Sequence, residues 1–146
     1  MGEHVTKKIA IIILFIGLLM IFSCDNNSTG NDDKTELEGI WVGYELEGNQ
    51  DVWTIEVTDN ILDIIASNSQ EWYKGSIILN SSTNPKQIDL LVEESSFTNA
   101  VGLTALGIYK IESDTLTFAA KAPGVLERPQ SFTPENGARV YIVEKQ

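Results

Sequence analysis

The chain has 146 residues and a formal net charge of −11. That excess of carboxylates excludes nucleic acid, whose binding needs a positive field to displace counterions, and it opposes adsorption onto anionic lipid headgroups. Cys24 is the only cysteine and His4 the only histidine, so the chain has no internal disulfide and almost no imidazole chemistry.

In chain order, Lys7 and Lys8 come first, followed by an uncharged run from Ile9 to Phe22, IAIIILFIGLLMIF. A small residue, Ser23, then precedes Cys24, and the composition turns polar with Asp25-Asn26-Asn27. A basic start, an apolar stretch and a small residue before the cut describe a secretory signal peptide over residues 1–23. The fourteen apolar residues span about 21 Å as a helix, short of the roughly 30 Å of a hydrocarbon core, so this stretch suits a cleaved leader better than a permanent span.

The segment Ile21-Phe22-Ser23-Cys24 resembles the lipobox of bacterial lipoproteins. The resemblance implies a diacylglycerol on the sulfur of Cys24, cleavage before it, and acylation with a fatty acid such as palmitate. The expected address is the cell envelope, with acyl chains holding the chain to a membrane and the domain facing the periplasm or exterior. Loss of residues 1–23 takes Lys7, Lys8 and Glu3 from the totals of 10 basic and 21 acidic side chains, leaving 8 and 20. The acyl chains must therefore supply the membrane attachment, at about 0.8 kcal/mol per buried methylene.

Residues 25–36 carry no apolar or aromatic side chain, and 24–36 is read as a flexible polar tether. Asp25, Asn27, Thr29, Gly30, Asp33 and Glu36 match the spacing of a calcium loop, but no flanking helices are expected, so the tether reading is preferred and no cofactor is assigned.

From Leu37 to Gln146 short runs of β-branched and aromatic residues alternate with turn signals. Trp53, Ile55 and Val57 alternate with Thr54, Glu56 and Thr58, the period-2 pattern of a strand with one packed face. Eight strands are expected, at about 39–47, 51–58, 61–67, 71–79, 86–92, 105–111, 115–120 and 138–144, with turns at Asp59-Asn60, Ser113-Asp114 and Asn136-Gly137. Ser95 to Leu103 is read as a helical turn or a loop. The expected fold is all-β, a small antiparallel barrel or sandwich that hides its edges.

Gly39-Ile40-Trp41, Pro85-Lys86-Gln87-Ile88-Asp89, Gly107-Ile108-Tyr109 with Asp114-Thr115-Leu116, and Arg128-Pro129-Gln130-Ser131-Phe132 occur in that order. Together they resemble an uncharacterised lipocalin-like domain family abundant in planctomycetes, over residues 37–146. The resemblance implies a small lipocalin-like β-barrel of about eight strands. It also implies that Arg139 from the last strand lies over the indole of Trp41 and closes the barrel floor by cation–π stacking. It implies no activity.

Little catalytic chemistry is available once His4 is removed and Cys24 acylated, because neither a Ser-His nor a Cys-His pair can form. The chain is read as no enzyme. Lys74 and Ser76 share a strand face, while Asp63 and Asp89 interrupt apolar runs and face either solvent or the barrel interior. Arg128 is a candidate for an anion at the mouth or for a nearby carboxylate. Tyr44, Trp53, Trp72, Tyr73 and Tyr109 are the candidate lining of a pocket for a small apolar or amphipathic ligand. The alternative is a structural or protein-interaction lipoprotein with a filled barrel core. An apolar cavity of a few hundred Å³ would favour the ligand.

Overall fold

Apolar side chains at every second position give each segment one face to pack against the others. The computed structural model describes residues 30–146 and forms a helix, α1 (Gly30–Leu37), followed by eight strands. These are β1 (Gly39–Glu45), β2 (Val52–Thr58), β3 (Ile61–Ala66), β4 (Trp72–Asn80), β5 (Lys86–Ser95), β6 (Thr104–Glu112), β7 (Thr115–Ala120) and β8 (Arg139–Lys145). Each strand pairs antiparallel with the next and β8 pairs with β1, so the sheet closes into a barrel with no free edge. The all-β expectation holds. A single 3₁₀ turn, Thr98–Ala100, sits between β5 and β6, where a helical turn or loop was expected.

Strand alternation decides what lies inside. Trp53, Ile55 and Val57 on β2 are buried, and so are Leu62 and Ile64 on β3, while Asp63 between them faces outward. The Asp59-Asn60 and Ser113-Asp114 turns join their strands as expected, with Asp59 and Ser113 in the left-handed region at φ 56°. Asn136-Gly137 also takes left-handed φ values, 52° and 78°, but it turns a long segment into β8 and does not link adjacent strands.

The register separates two ends. At one, the β2–β3, β4–β5 and β6–β7 turns meet the start of β1 and the end of β8. Helix α1 closes this end. Leu37 is buried there, its carbonyl accepts the indole N–H of Trp41 at 2.8 Å, and the Glu36 carbonyl accepts from Lys145 Nζ at 3.2 Å. Carbonyls that a helix C-terminus leaves without partners are thereby satisfied by the barrel. Gly39 makes the helix-to-strand corner at φ +130°, a conformation that L side chains rarely adopt.

Two expectations change here. Residues 30–36, read as the end of a flexible tether, form with Leu37 a continuous helix, so Gly30 does not make the turn of a calcium loop. The segment lacks apolar periodicity, and it is docked by buried Leu37 and by the Leu37 and Glu36 carbonyls bonded to the barrel. Second, the cation over Trp41 is Lys145, with Nζ 5.0 Å from the ring centroid, and not Arg139. Antiparallel pairing sets Lys145 opposite Trp41 and leaves Arg139, the first residue of β8, at the far end.

Residues 121–138 form a strap over the outside of the barrel. Beneath it Ile108, Ala119 and Val140 are buried, with Leu46 and Phe132 packed against them. Arg128 pins the strap: its Nη1 donates to the Gly107 carbonyl at 2.6 Å and stands 2.5 Å from Asp89 Oδ1.

Candidate functional site: the open end of the barrel

Among the described residues no α-helix crosses the other end, where the 3₁₀ turn Thr98–Ala100 packs Ala100 into the core from one side. Inward positions of β1 and β8 alternate from Trp41 through Gly43 to Glu45, and from Val143 through Tyr141 to Arg139, so a carboxylate and a guanidinium arrive at the mouth together. Close approach of the two strands requires glycine between Trp41 and Glu45: a Cβ on Gly43 would stand 2.0 Å from the Ile142 carbonyl oxygen.

Arg139 is held on several sides. Its Nε donates to Glu45 Oε1 at 2.7 Å and its Nη2 to Glu45 Oε2 at 2.6 Å, a bidentate pair. Its Nη1 pairs with Glu71 Oε1, which also accepts the Tyr73 hydroxyl at 3.3 Å. The guanidinium carbon lies 4.9 Å from the Trp53 ring centroid and 5.5 Å from that of Tyr141. Burial disfavours the charged guanidinium, but Glu45, Tyr141 and Glu71 outweigh it and hold Arg139 more firmly protonated than usual. Burial, helped by Glu71, pushes the Tyr73 phenol up to about 12. Tyr141 is raised for the same first cause, burial.

This cluster braces the β1, β3–β4 and β8 side of the mouth. Across from it the inward positions are small: Ala105 on β6 and Ala120 on β7. A cavity of about 110 Å³ results, walled by Ile64, Leu90, Phe118 and Tyr141, with Tyr73 and Arg139 on the braced side and Ala122-Pro123 of the strap at its rim. Below it the interior is filled. Trp53 packs edge-on against Tyr141 at 5.2 Å, and Phe118 stacks on Tyr141 at 5.8 Å.

The five aromatics named from the sequence are dispersed. Tyr73 lines the cavity. Trp53 lies in the core beneath Arg139, and Tyr109 is buried on the closed-end half of β6, opposite Lys86. Tyr44 is 55% exposed on the outer face, and Trp72, the neighbour of inward Tyr73, does not line the cavity either. Asp63 and Asp89 are outside the barrel, paired with Lys74 at 3.7 Å and with Arg128. Lys74 is thus committed to Asp63, and Arg128 lies on the outer wall away from the mouth. Cys24 lies outside the described residues. Among the described residues no group of Asp, Glu, His or Cys is arranged to hold a metal ion.

Glu45, Glu71, Ala105, Ala120 and Tyr141 were not singled out from the sequence. Parity offered one signal, since Glu45 falls in step with buried Trp41, and Arg139 with Tyr141 and Val143. Glu71 sits between β3 and β4, where no pattern marks it. A second, larger hollow of about 720 Å³ is lined wholly by residues of the strap and belongs to its folding rather than to the barrel.

Chemically, the mouth offers an apolar recess beside a guanidinium already saturated by two carboxylates. It suits a small apolar group and disfavours an added anion. Protein-family models, curated proteins and solved structures yield no match to this chain.

Proposed function

We propose that the chain is an envelope lipoprotein, held to a membrane by acyl chains on Cys24, whose lipocalin-like barrel is a packed, non-enzymatic scaffold that works by presenting its open end to a partner. The observation that carries this reading is the small free volume: about 110 Å³ inside a barrel otherwise filled by Trp41, Trp53, Tyr109, Phe118 and Tyr141. Pockets for drug-sized ligands run from about 300 to 1,000 Å³. A hollow of about 150 Å³ takes benzene and little more. The anchoring half of the reading is supported by the apolar run Ile9 to Phe22 and the lipobox-like Ile21-Phe22-Ser23-Cys24.

A second reading, a carrier of a small apolar or amphipathic ligand, draws on the same cavity, whose walls are mostly apolar. The volume restricts such a ligand to the tip of a chain or one ring. Native mass spectrometry of detergent-extracted protein, with a solvatochromic dye titration, separates the two. The packed scaffold predicts a bare protein mass beyond its own acyl chains and no saturable blue shift. A co-purified small molecule, or stoichiometric dye uptake blocked by Ala105→Leu, would establish the carrier instead.

A further inference from the structure

The rim of the mouth has a feature that a small ligand leaves unexplained. Phe97, Val101 and Leu103 on the β5–β6 connection, and Val125 and Leu126 on the strap, are all exposed, Leu126 to 92%. These two segments are neighbours: the Gly124 N–H donates to the Thr104 carbonyl at 2.9 Å, and a Cβ on Gly124 would stand 3.1 Å from Leu103 Cδ1. Both border the cavity. Ala122-Pro123 line it directly, and Phe97 packs 5.8 Å from the ring of lining Tyr73. Exposed apolar side chains grouped around a recess mark contact surfaces rather than scattered exposure.

Charge narrows what can sit there. The cations beside the recess, Arg139 and Lys121, are already paired, with Glu45 and Glu71 and with Glu127. Exposed Glu47, Glu93 and Glu94 stand on the connections and strand ends around the same mouth. An acidic frame around an apolar centre repels an anionic bilayer and a fatty carboxylate, and at −11 for the whole chain it repels a second copy. It complements a basic surface. The recess is sized for one aliphatic side chain, and the apolar rim is wider than a molecule filling 110 Å³ would cover.

From this geometry we infer that the open end is the docking surface for a protein partner that inserts a single apolar side chain, of about leucine size, into the recess and carries lysines or arginines around it. Interfaces concentrate their energy in such central anchors, with charged groups at the periphery steering approach. Helix α1 lies at the opposite end of the barrel, so among the described residues it does not cover the mouth. The inference rests on the packed-scaffold reading and names the partner's chemistry.

The test uses short synthetic peptides with isotope-labelled protein. The probes are one leucine flanked by lysines, the same lysines around alanine, and the same leucine flanked by glutamates. The leucine–lysine peptide is expected to shift amide resonances at Leu103, Ala105, Ala120 and Ala122. Its affinity should fall about tenfold with alanine at the centre, by the worth of a buried aliphatic group in a pocket, and fall further for the glutamate peptide. Leu126→Ser, on a side chain 92% exposed, should weaken binding without altering the melting temperature, and Ala120→Leu should abolish the dependence on leucine. Equal binding of the alanine and leucine probes, resonance shifts away from the mouth, or tighter binding of the glutamate probe each overturn the proposal. So does self-association through Leu126 at rising protein concentration. A bare interior by mass spectrometry with silent peptides defeats this inference alone, whereas a co-purified ligand defeats the scaffold reading beneath it.

Discussion

Arg139 concentrates more interactions than any other side chain at the mouth, and its removal separates packing from charge. Arg139→Met keeps the stem over Trp53 and Tyr141 but leaves Glu45 and Glu71, each mostly buried, facing one another. Removing one partner of a fully buried pair costs about 3–5 kcal/mol. With Arg139 a third exposed, screening reduces this to about 2 kcal/mol, to be read from urea midpoints. Adding Glu71→Gln to Arg139→Met should recover part of the loss, because one stranded carboxylate disappears. The same cluster makes a prediction about pH. Tyr73 is neutral in the fold up to about 12, against 10.0 for a free phenol. A raised value means that the stabilisation is complete below pH 10 and is lost as pH rises through 12. Ultraviolet titration should find Tyr73 and Tyr141 ionising late, with thermal stability declining over that window, and Tyr73→Phe should remove its share of the decline.

At the scale of elements, the strands were legible and the ornaments were not. Alternation such as Trp53-Thr54-Ile55-Glu56-Val57 leaves a strand no choice of face, and two-residue turns at Asp59-Asn60 and Ser113-Asp114 fix its neighbours. Helix α1 escaped because its polar residues carry no period; its stability comes from Leu37 in the barrel end and two carbonyls bonded to Trp41 and Lys145. Leu37→Ala should therefore cost about 2–4 kcal/mol, as for other buried leucines, and a chain starting at Gly39 should melt well below one starting at Gly30. The strap escaped for a different reason. Its turn residues suggest a loop, and only the tertiary fold reveals that Arg128 reaches Gly107 and Asp89. Arg128→Ala should cost about 1.5–3 kcal/mol, the range for hydrogen bonds to a charged group. It should also raise amide exchange across 121–138 while the strands stay protected. Of the candidate site, Arg139 and Tyr73 were readable as single residues. Their grouping was not, because it depends on which end of the barrel each strand end reaches, and an arginine expected over Trp41 turned out to face Trp53.

For the whole molecule, closure and polarity matter most. A barrel has two ends, and this one devotes one end to a helix, an indole and a lysine and the other to a shallow apolar recess framed by carboxylates. Helix α1 packs at the closed end and leads into β1 there. A strongly negative chain is repelled by an anionic membrane surface, so the proposed attachment rests on acyl chains at the sulfur of Cys24. Its most direct test is the intact mass of the protein extracted from membranes of the cell that makes it. The account predicts a chain beginning at Cys24 and heavier than residues 24–146 by a diacylglycerol, with or without a further acyl group. A product that still begins at Met1, or one beginning near Asp25 or Cys24 with no lipid mass, contradicts it.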